Sequence, residues 1–399
     1  MSELRVPGRV TVVGGGLAGL VAAIAAAEAG WSVTLHEARS ELGGRARTTA
    51  GAHKANWGPH AVYNDGALWR FLDERGLARP ANIPPLTKPL LFRMDDRLRR
   101  VPPLGLMKAL MKLRKRSAPV DLSYADWATS VVGPEAAARI ATLTGVFTFD
   151  ADPGRLSARF VHERLARVTA FPTVVRYVPG GWATVVDRLA AYARGLGVTI
   201  ETDSRVDSLP GAPTVVALPL DRASALLGLT DLQWTGTRTA LLDIGLRSHR
   251  KDPFIISDLD DPGWVDAYSK GDHTLAPAGE DLVQAQTGLR DGETLESAVA
   301  RLEHVLDLGY DRWRERETWR RRARIENESG ALDLPGTTWR DRPAIDRGDG
   351  VYLVGDMVAA PGLLAEVSVA SAVEAVELLT QKIPTVVPDR AVTEVAFGA

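Results

Sequence analysis

The sequence predicts an α/β fold in which a parallel sheet with helices on its faces carries a second, inserted α+β domain. The first 37 residues contain a strand, a glycine turn, a helix and a second strand, and residues 351–380 again contain a strand and a helix. A strand, helix and strand joined within about 30 residues form a βαβ unit, whose strands lie parallel. The chain of 399 residues is long enough for two or more packed domains.

The composition is that of an ordinary soluble globular protein, with 45% hydrophobic and 25% charged residues. The formal net charge of −2 lacks the basic excess of a general nucleic-acid binder, so no nucleic-acid partner is expected. The absence of cysteine excludes disulfides, thiolate metal sites, iron–sulfur clusters and cysteine nucleophiles. The seven histidines are scattered without a metal-binding spacing, and we therefore predict no metal centre.

The N-terminal unit is predicted to be a strand at residues 9–13, a helix at 17–29 that ends at Gly30, and a strand at 31–37. The uncharged run at 10–27 superficially resembles a signal peptide or a membrane span. Its glycines and alanines favour a strand, turn and helix, because membrane-spanning helices are richer in leucine, isoleucine and phenylalanine. A cytoplasmic location is therefore expected.

The rest of the chain alternates between regular and irregular segments. In order, we predict a proline-rich crossing at 80–103, helices at 134–147 and 157–168, a turn at Pro179 followed by a helix and two strands of which the second carries Val206, a strand at 214–218, mixed strands from 236 to 325 with a helix at 293–307, a strand at 351–354 and a helix at about 364–380.

This order predicts a discontinuous nucleotide-binding domain interrupted by two insertions. The nucleotide-binding segments are 1–79, 180–235 and 326–380, the insertions that form the substrate-binding domain are 80–179 and 236–325, and residues 381–399 form a C-terminal tail.

A glycine-rich turn, GxGxxG, lies between the first strand and the first helix. Its residues are Gly14, Gly15, Gly16, Leu17, Ala18 and Gly19. In such a turn Gly16, the second glycine of the motif, lets the backbone approach a pyrophosphate, and the helix N-terminus presents free N–H groups to the phosphates. Glu37 follows at the end of the second strand, where a carboxylate accepts hydrogen bonds from ribose hydroxyls. We therefore predict a Rossmann-type site for an adenine dinucleotide rather than an ordinary turn with a surface glutamate.

A second glycine pair, Gly43 and Gly44, is followed by Arg45 and would add N–H groups and a fixed cation to the same pyrophosphate. Together, GGGLAGL, Glu37 and GGR resemble the superfamily of flavin amine oxidases, protoporphyrinogen oxidases and phytoene desaturases, which are FAD enzymes. The resemblance implies a Rossmann-type FAD-binding domain with an inserted α+β substrate domain, and we expect FAD to be bound non-covalently.

The resemblance extends to four further segments, one of which is the return strand at 214–220 (TVVALPL), which is similar to the family's strand before the chain re-enters the substrate domain. Residues 56–60 (NWGPH) are similar to the segment that passes beside the flavin ring, and residues 180–206 to the stretch that meets the adenine. Residues 351–380 resemble the segment in which Asp356 would meet the ribityl chain and the helix N-terminus near Leu364 would face the flavin N1–C2 edge. The cofactor-binding residues implied are Gly14, Gly15, Gly16, Leu17, Ala18, Gly19, Glu37, Ala38, Arg39, Gly43, Gly44, Arg45, Gly58, Pro59, His60, Val206, Ala217, Gly355, Asp356, Leu363 and Leu364.

The same resemblance suggests a reaction class. Residues 149–160 (FDADPGRLSARF) resemble a substrate-domain signature of the phytoene desaturases and protoporphyrinogen oxidases. Flavin amine oxidases usually carry an aromatic residue before the flavin-facing helix, but this chain has Leu363, which offers an amine no π-face. The implied enzyme removes hydride from a largely apolar, lipophilic small molecule and forms a C=C bond.

Three alternatives stay open at this stage. Two lie within the superfamily: a flavin amine oxidase, and a non-redox isomerase or cyclase that uses reduced flavin. The third is a flavin-free binding protein like the Rab GDP-dissociation inhibitors, which share this fold. The presence of Glu37, of the GGR sequence and of Gly355 with Asp356 argues against loss of the cofactor.

His60 and Tyr63 are candidate catalytic residues, because the resemblance places both near the flavin. His60 is a candidate base or hydrogen-bond donor, although a buried histidine that fixes the loop is the more common role. Residues 104–116 form a basic amphipathic helix that could contact an anionic membrane surface, or pack on the substrate domain with a solvated basic face. In residues 311–326 opposite charges lie at helical spacing, which indicates a solvated surface rather than a site for single-stranded nucleic acid.

Overall fold

The computed structural model describes residues 8–382 apart from Leu86, Ala212 and Asp231. The strands are β1 Arg9–Val13, β2 Ser32–His36, β3 Val62–Tyr63, β4 Leu90–Met94, β5 Arg97–Arg99, β6 Val175–Arg176, β7 Thr199–Glu201, β8 Thr214–Val216, β9 Gly236–Arg247, β10 Ile255–Asp258, β11 Gly263–Asp266, β12 Glu280–Gly288, β13 Glu317–Ala331 and β14 Val351–Leu353. The helices are α1 Leu17–Glu28, α2 Ala67–Asp73, α3 Leu104–Arg114, α4 Tyr124–Val132, α5 Pro134–Thr148, α6 Ala158–Val168, α7 Trp182–Gly195, α8 Leu220–Leu227, α9 Leu295–Gly309, α10 Trp313–Arg316 and α11 Ala365–Lys382.

A five-stranded parallel sheet with the order β14-β8-β1-β2-β7 forms one half of the molecule. Its strands are almost fully buried at Val12, Leu35, Val215 and Leu353, as expected for a sheet covered on both faces. Helix α1 packs against α7 and α11. The chain leaves β1 in one direction towards β2 and β7 and returns on the other side through β8 and β14, which makes the β1–β8 gap a topological switch point. Ligands of such sheets bind at this point, outside the carboxyl ends of the strands.

A second, seven-stranded sheet has the order β13-β9-β12-β11-β10-β4-β5. Its pairs are antiparallel except for β10 and β4. Helix α9 covers one face with an apolar stripe that includes Leu302 and Leu306. The long edge strand β13 carries this sheet past residue 326, where the sequence analysis places the return to the nucleotide-binding domain.

Four helices, α3 to α6, form a separate apolar cluster beside the second sheet. Its centre contains Leu113, Tyr124, Ile140 and Leu165, all fully buried. Helix α3 packs into this cluster through Ala109 and Leu113. Within the described part of the chain, no helix combines the length and the apolar character needed to cross a bilayer.

Most sequence-based element predictions are confirmed within about two residues, namely the strands at 9–13, 31–37, 214–218 and 351–354 and the helices at 17–29, 134–147, 157–168, 293–307 and 364–380. One prediction is wrong. Val206 lies in irregular chain after β7, because Asp203 turns at φ 52° and the Ser204 N–H donates to the Glu37 carbonyl instead of to a strand. Residues 311–326 contain the short α10 and the first part of β13, which agrees with the mixed strands predicted up to residue 325. The predicted tail beyond residue 382 lies outside the described residues.

Candidate cofactor site and the adjoining cavity

The glycine turn at the end of β1 lies at the switch point. The Gly14 N–H donates to the His36 carbonyl at 2.8 Å, and Gly14 adopts φ 108°, which favours glycine. A Cβ on Gly19 would lie 1.8 Å from the Gly14 carbonyl oxygen, so only glycine lets α1 start this close to the turn. The first N–H groups of α1, from Leu17 and Ala18, have no acceptor within the helix and are available to a phosphate.

The Glu37 carboxylate is held against this turn by hydrogen bonds from two backbone N–H groups. Its carboxylate accepts hydrogen bonds from the Gly15 N–H at 2.7 Å and from the Arg39 N–H at 2.9 Å. The side chain is nearly buried, whereas Ala38 and Arg39 are exposed. The two N–H groups hold the acid at the end of β2 and leave further lone pairs of its oxygens for hydroxyl donors.

The second glycine pair meets the first turn directly. The Gly43 N–H donates to the Gly15 carbonyl at 2.8 Å, and a Cβ on Gly44 would lie 3.2 Å from the Gly16 Cα. The two glycine-rich turns, at 14–16 and at 43–44, therefore form one cradle. Because they carry few side-chain atoms, their backbone N–H groups stay accessible. These residues fit the pyrophosphate of a dinucleotide.

Arg45 and Asp356 form a bidentate ion pair with N–O distances of 2.7 and 2.5 Å. The Arg45 guanidinium also donates to the Asn327 carbonyl at 3.0 Å. Asp356 follows β14 and is mostly buried, so this pair joins the fourth strand end to the glycine cradle. The sequence resemblance predicts both residues at the cofactor, but it does not predict the ion pair between them.

Ala217 and Gly355 complete the strand ends of the cradle. The Ala217 N–H donates to the Val13 carbonyl, and a Cβ on Gly14 would lie 2.4 Å from the Ala217 carbonyl oxygen. The Gly355 N–H donates to the Ser371 hydroxyl at 3.1 Å. Val206 is half-buried in the irregular chain that leads away from β7, close behind Glu37.

The segment that contains Gly58, Pro59 and His60 is anchored by hydrogen bonds to the start of α7. The Trp182 indole N–H donates to the Pro59 carbonyl at 2.9 Å. The Asn56 amide oxygen accepts from the Trp182 N–H at 3.2 Å and from the Thr48 hydroxyl at 2.9 Å. These bonds fix the orientation of the Asn56 amide, so its nitrogen must face the next group, which is His60.

His60 is buried, with an exposure of only 3%, and both its ring nitrogens and its ring faces lie close to protein groups. The Asn56 amide nitrogen lies 2.6 Å from Nδ1, which assigns the proton to Nε2. Nε2 lies 3.3 Å from an Asp272 carboxylate oxygen, although without the alignment of a full hydrogen bond. The ring also packs at centroid distances of 5.1 Å from Tyr177 and 5.6 Å from Tyr268. This arrangement favours a positioning role for His60 over that of a free base.

Asp272 is a site residue that the sequence did not reveal. It is fully buried, and it accepts hydrogen bonds from the Gly180 N–H at 2.9 Å and the Thr274 hydroxyl at 2.6 Å. Burial raises the pKa of this carboxyl, but the nearby His60 ring and the hydrogen bonds from Thr274 outweigh burial and hold the pKa below its usual value. Nothing in the sequence around Asp272 pairs it with a histidine more than 200 residues away.

Tyr63 lies in β3, beside an arginine–carboxylate cluster. The Arg167 guanidinium lies 4.6 Å from the centre of the Tyr63 ring and binds the Glu366 carboxylate with both nitrogens. Burial raises the pKa of Tyr63 to about 12, against the opposing effect of Arg167. The phenol therefore stays protonated near neutral pH, where it can donate a hydrogen bond but cannot serve as a base.

The N-terminus of α11 is preceded by Leu363 and Leu364, both half-buried. Leu364 adopts φ 53°, an uncommon conformation for leucine. The Glu366 carboxylate accepts from the Leu363 N–H at 3.1 Å. Leu364 also lines a narrow cavity between α11 and the helices α5 and α6, together with Asp356, Phe147, Phe160 and Arg164.

Comparisons with known proteins agree with this architecture. A family model described as an NAD(P)-binding Rossmann-like domain matches residues 12–75. A crystal structure of an oxidoreductase from Methanosarcina mazei superposes with a TM-score of 0.77 at 16% identity, over 92% of this chain and 100% of the other. A protein assigned as a protoporphyrinogen oxidase, from Exiguobacterium sp. 255-15, gives 0.70 at 17% identity over 96% and 100% of the two chains.

The cyclohexylamine oxidase of Brevibacterium oxydans gives a TM-score of 0.69 at 16% identity over 95% of this chain and 100% of the other. The chain has the fold of these oxidoreductase structures. The resemblance drawn from the sequence motifs is thus confirmed at the level of the fold. Comparison with curated protein sequences gives no significant match.

Within this fold, the structure brings most of the predicted cofactor residues to one place. Four strand ends, at Gly14, Glu37, Ala217 and Gly355, meet at the switch point, and the second glycine pair and Arg45 lie against them. In the described residues no group of three or more His, Asp or Glu side chains could hold a metal ion.

Proposed function

We propose that this protein is an FAD-dependent oxidoreductase that removes hydride from a largely apolar small molecule and forms a C=C bond. The observation that carries the proposal is the joint cradle of the two glycine turns, with Glu37 fixed beside it. A single glycine turn binds many phosphates, whereas a second one hydrogen-bonded to the first suits a pyrophosphate flanked by two nucleotide halves.

The residues of the chain divide the binding of FAD between them. The cradle and the N-terminus of α1 would bind the pyrophosphate, Glu37 the adenosine ribose, and the Arg45–Asp356 pair would lie near the ribityl chain. When bound, the isoalloxazine ring supplies the hydride acceptor. The protein then has to hold the donor carbon of the substrate against this acceptor and to exclude water.

Non-covalent binding is supported by the surroundings of the site. The chain has no cysteine, and both ring nitrogens of His60 face protein groups, Asn56 and Asp272. A histidine held in this way is not free to attack the flavin. The proposed FAD should therefore be released when the protein is denatured.

A CH–CH donor is favoured over an amine by the side chains near the start of α11. Leu363 takes the position before this helix and has no π-face for an amine. Trp57, in the NWGPH segment, already makes cation–π contacts with Arg47 and Arg321, with each guanidinium 4.7 Å from a ring centre. Its ring is thus engaged by cations of the protein itself.

The test is a visible absorption spectrum of the purified protein, repeated on the supernatant after acid precipitation. A flavin spectrum that moves to the supernatant and is identified as FAD supports the cofactor assignment. Anaerobic bleaching by apolar CH–CH donors but not by amines supports the reaction class. Rapid reduction by primary or secondary amines would establish an amine oxidase instead, and product without net oxidation would indicate an isomerase.

A matched pair of variants tests the role of Glu37. Glu37→Gln removes a charged acceptor of ribose hydroxyls and should weaken FAD binding at least about ten-fold, which corresponds to the loss of one charge-assisted hydrogen bond. Glu41→Gln removes the same charge from an exposed position four residues away and should leave the FAD dissociation constant unchanged. Equal effects of the two variants would contradict the proposed site. A colourless protein that cannot be reconstituted with FAD would refute the enzyme proposal as a whole.

A further inference from the structure

Arg164 is a buried cation without a counter-ion. It lies on α6, is 6% exposed, and has no carboxylate within 4.0 Å among the described residues. One of its N–H groups donates to the Phe160 carbonyl at 3.1 Å, and its guanidinium lies 3.3 Å from the centre of the Phe160 ring. Buried arginines are normally paired, since an uncompensated charge is costly away from water.

The arginines around Arg164 obey this rule. Arg167, one turn further along α6, is bonded to the carboxylates of Asp65 and Glu366. Arg342, which is as buried as Arg164, binds Asp333 with two hydrogen bonds of 2.9 Å. The lack of a carboxylate partner is therefore specific to Arg164, since the neighbouring arginines are paired.

Arg164 lines the narrow cavity at the start of α11. The helical side of this cavity consists of Phe147, Thr148, Phe160 and Arg164, and the opposite side includes Asp356 and Leu364. The negative charge of Asp356 is already compensated by Arg45. The first turn of α11, which is 18 residues long, adds the positive end of a helix dipole. The cavity thus has an excess of positive charge beside two aromatic side chains.

We propose that Arg164 binds a carboxylate of the substrate. The inference rests on the proposed function and narrows its substrate class to apolar molecules that end in a carboxylate group. The planar guanidinium presents paired N–H donors that match the two oxygens of a carboxylate. Phe147 and Phe160 offer apolar surface to the adjoining part of the ligand.

The position of Arg164 favours a substrate group over the cofactor. It belongs to the helical cluster of α3 to α6, within the part of the chain that the sequence analysis assigns to the substrate. The predicted cofactor residues that line the cavity, Asp356 and Leu364, lie on its opposite side, after β14 and before α11. A carboxylate bound to Arg164 would anchor one end of the substrate and direct its apolar body towards the start of α11.

The test compares carboxylates with their neutral amides on the holoenzyme. Benzoate, octanoate and indole-3-acetate are each titrated against benzamide, octanamide and indole-3-acetamide by isothermal titration calorimetry. At least one acid should bind ten-fold or more tightly than its amide. In Arg164→Met this preference should fall to two-fold or less, and Arg164→Lys should retain part of it.

The control is Arg159→Met, which removes an arginine from the exposed face of the same helix and should leave the preference intact. Equal binding of acids and amides by the wild type, no binding up to about 10 mM, or an unchanged preference in Arg164→Met would each overturn the inference. A weaker FAD affinity in Arg164→Met, with acids and amides bound equally by the wild type, would assign the charge to the cofactor instead. The flavin content, measured separately after acid release, distinguishes all these results from a failure of the proposed function.

Discussion

Replacing Arg164 by methionine is expected to make the folded protein more stable while it abolishes selective binding of carboxylates. Burial lowers the pKa of Arg164 from 12.5 to about 9, opposed by the nearby charge of Asp333. At about 1.4 kcal/mol per pKa unit, this shift corresponds to roughly 5 kcal/mol of unfavourable free energy for the buried charge. Methionine has a similar length, no charge and an apolar terminus that suits the surrounding side chains.

The expected gain in the free energy of unfolding is smaller than the roughly 5 kcal/mol assigned to the buried charge. The variant loses the cation–π contact with Phe160, worth about 2 kcal/mol when desolvated, and one hydrogen bond worth about 1 kcal/mol. We therefore expect Arg164→Met to raise the free energy of unfolding by about 2 kcal/mol, within the range found when buried ions are replaced by apolar side chains. The melting temperature of the holoenzyme should rise by roughly 2 °C.

The pH dependence of this gain has a definite sign. Because the pKa of Arg164 is lower in the folded than in the unfolded chain, the penalty is fully present below about pH 9 and is relieved as the pH rises from 9 towards 12.5. The stability difference between wild type and variant should therefore be constant near neutral pH and begin to narrow above pH 9. The groups whose charges act on Arg164 are Asp333, Arg342, Glu163 and Tyr63, and Tyr63 stays mostly neutral up to about pH 11 because burial raises its pKa to about 12.

Differential scanning calorimetry of the holoenzyme, in a buffer without carboxylates or phosphate, measures this prediction. Arg159→Met serves as the control and should change the free energy of unfolding by less than about 0.5 kcal/mol. A carboxylate that binds the wild type should raise its melting temperature and leave that of Arg164→Met unchanged. A melting temperature of Arg164→Met below that of the wild type would refute the reasoning, because the charge would then be stabilised by the protein itself.

Three other predictions follow from the described contacts. Arg167→Met should lower the free energy of unfolding by about 3 kcal/mol in urea titrations, since it leaves the buried Glu366 carboxylate without its partner; a change below about 0.5 kcal/mol would contradict this. Asp272→Asn should destabilise the protein by about 2 kcal/mol at pH 7, and the difference should shrink as the pH falls below 3.8 and disappear only below the lowered pKa of Asp272 in the folded protein. Finally, the exposed apolar side of α3 should bind vesicles that contain phosphatidylserine, and Met107→Glu should reduce co-sedimentation; equal binding of both proteins, or binding to phosphatidylcholine alone, would disprove a basic membrane-docking helix.

The nucleotide-binding half could be predicted from the sequence because its geometry depends on local features. Gly19 is required by its contact with the Gly14 carbonyl five residues earlier, Gly14 adopts a backbone conformation that favours glycine, and the spacing to Glu37 follows from the length of one helix and one strand. Such constraints leave a direct trace in the order of residue types. The contact between the Arg45 and Asp356 side chains has no such trace, because it joins two segments more than 300 residues apart.

The error at Val206 has a local cause as well. The segment around Val206 contains valine between polar residues, which predicts a strand, but the backbone N–H groups of Asp203 and Ser204 bond to the loop after β2. In residues 311–326 opposite charges lie at helical spacing, yet the exposure of the side chains in β13 follows a period of two. Arg322 and Arg324 are exposed while Ile325 is buried, which is the alternation of a strand.

Arg164 interrupts the apolar pattern of α6. On α6 the buried positions Phe160, Val161 and Leu165 define an apolar stripe with helical period, and Arg164 falls within this stripe. An arginine at a core position is either paired by a distant acid or reserved for a ligand, and the sequence cannot distinguish these cases. The structure decides between them, because it provides partners for Arg167 and Arg342 and none for Arg164. A charge kept at a cost in stability, beside the cavity at the proposed flavin site, is best explained by an anion that it binds.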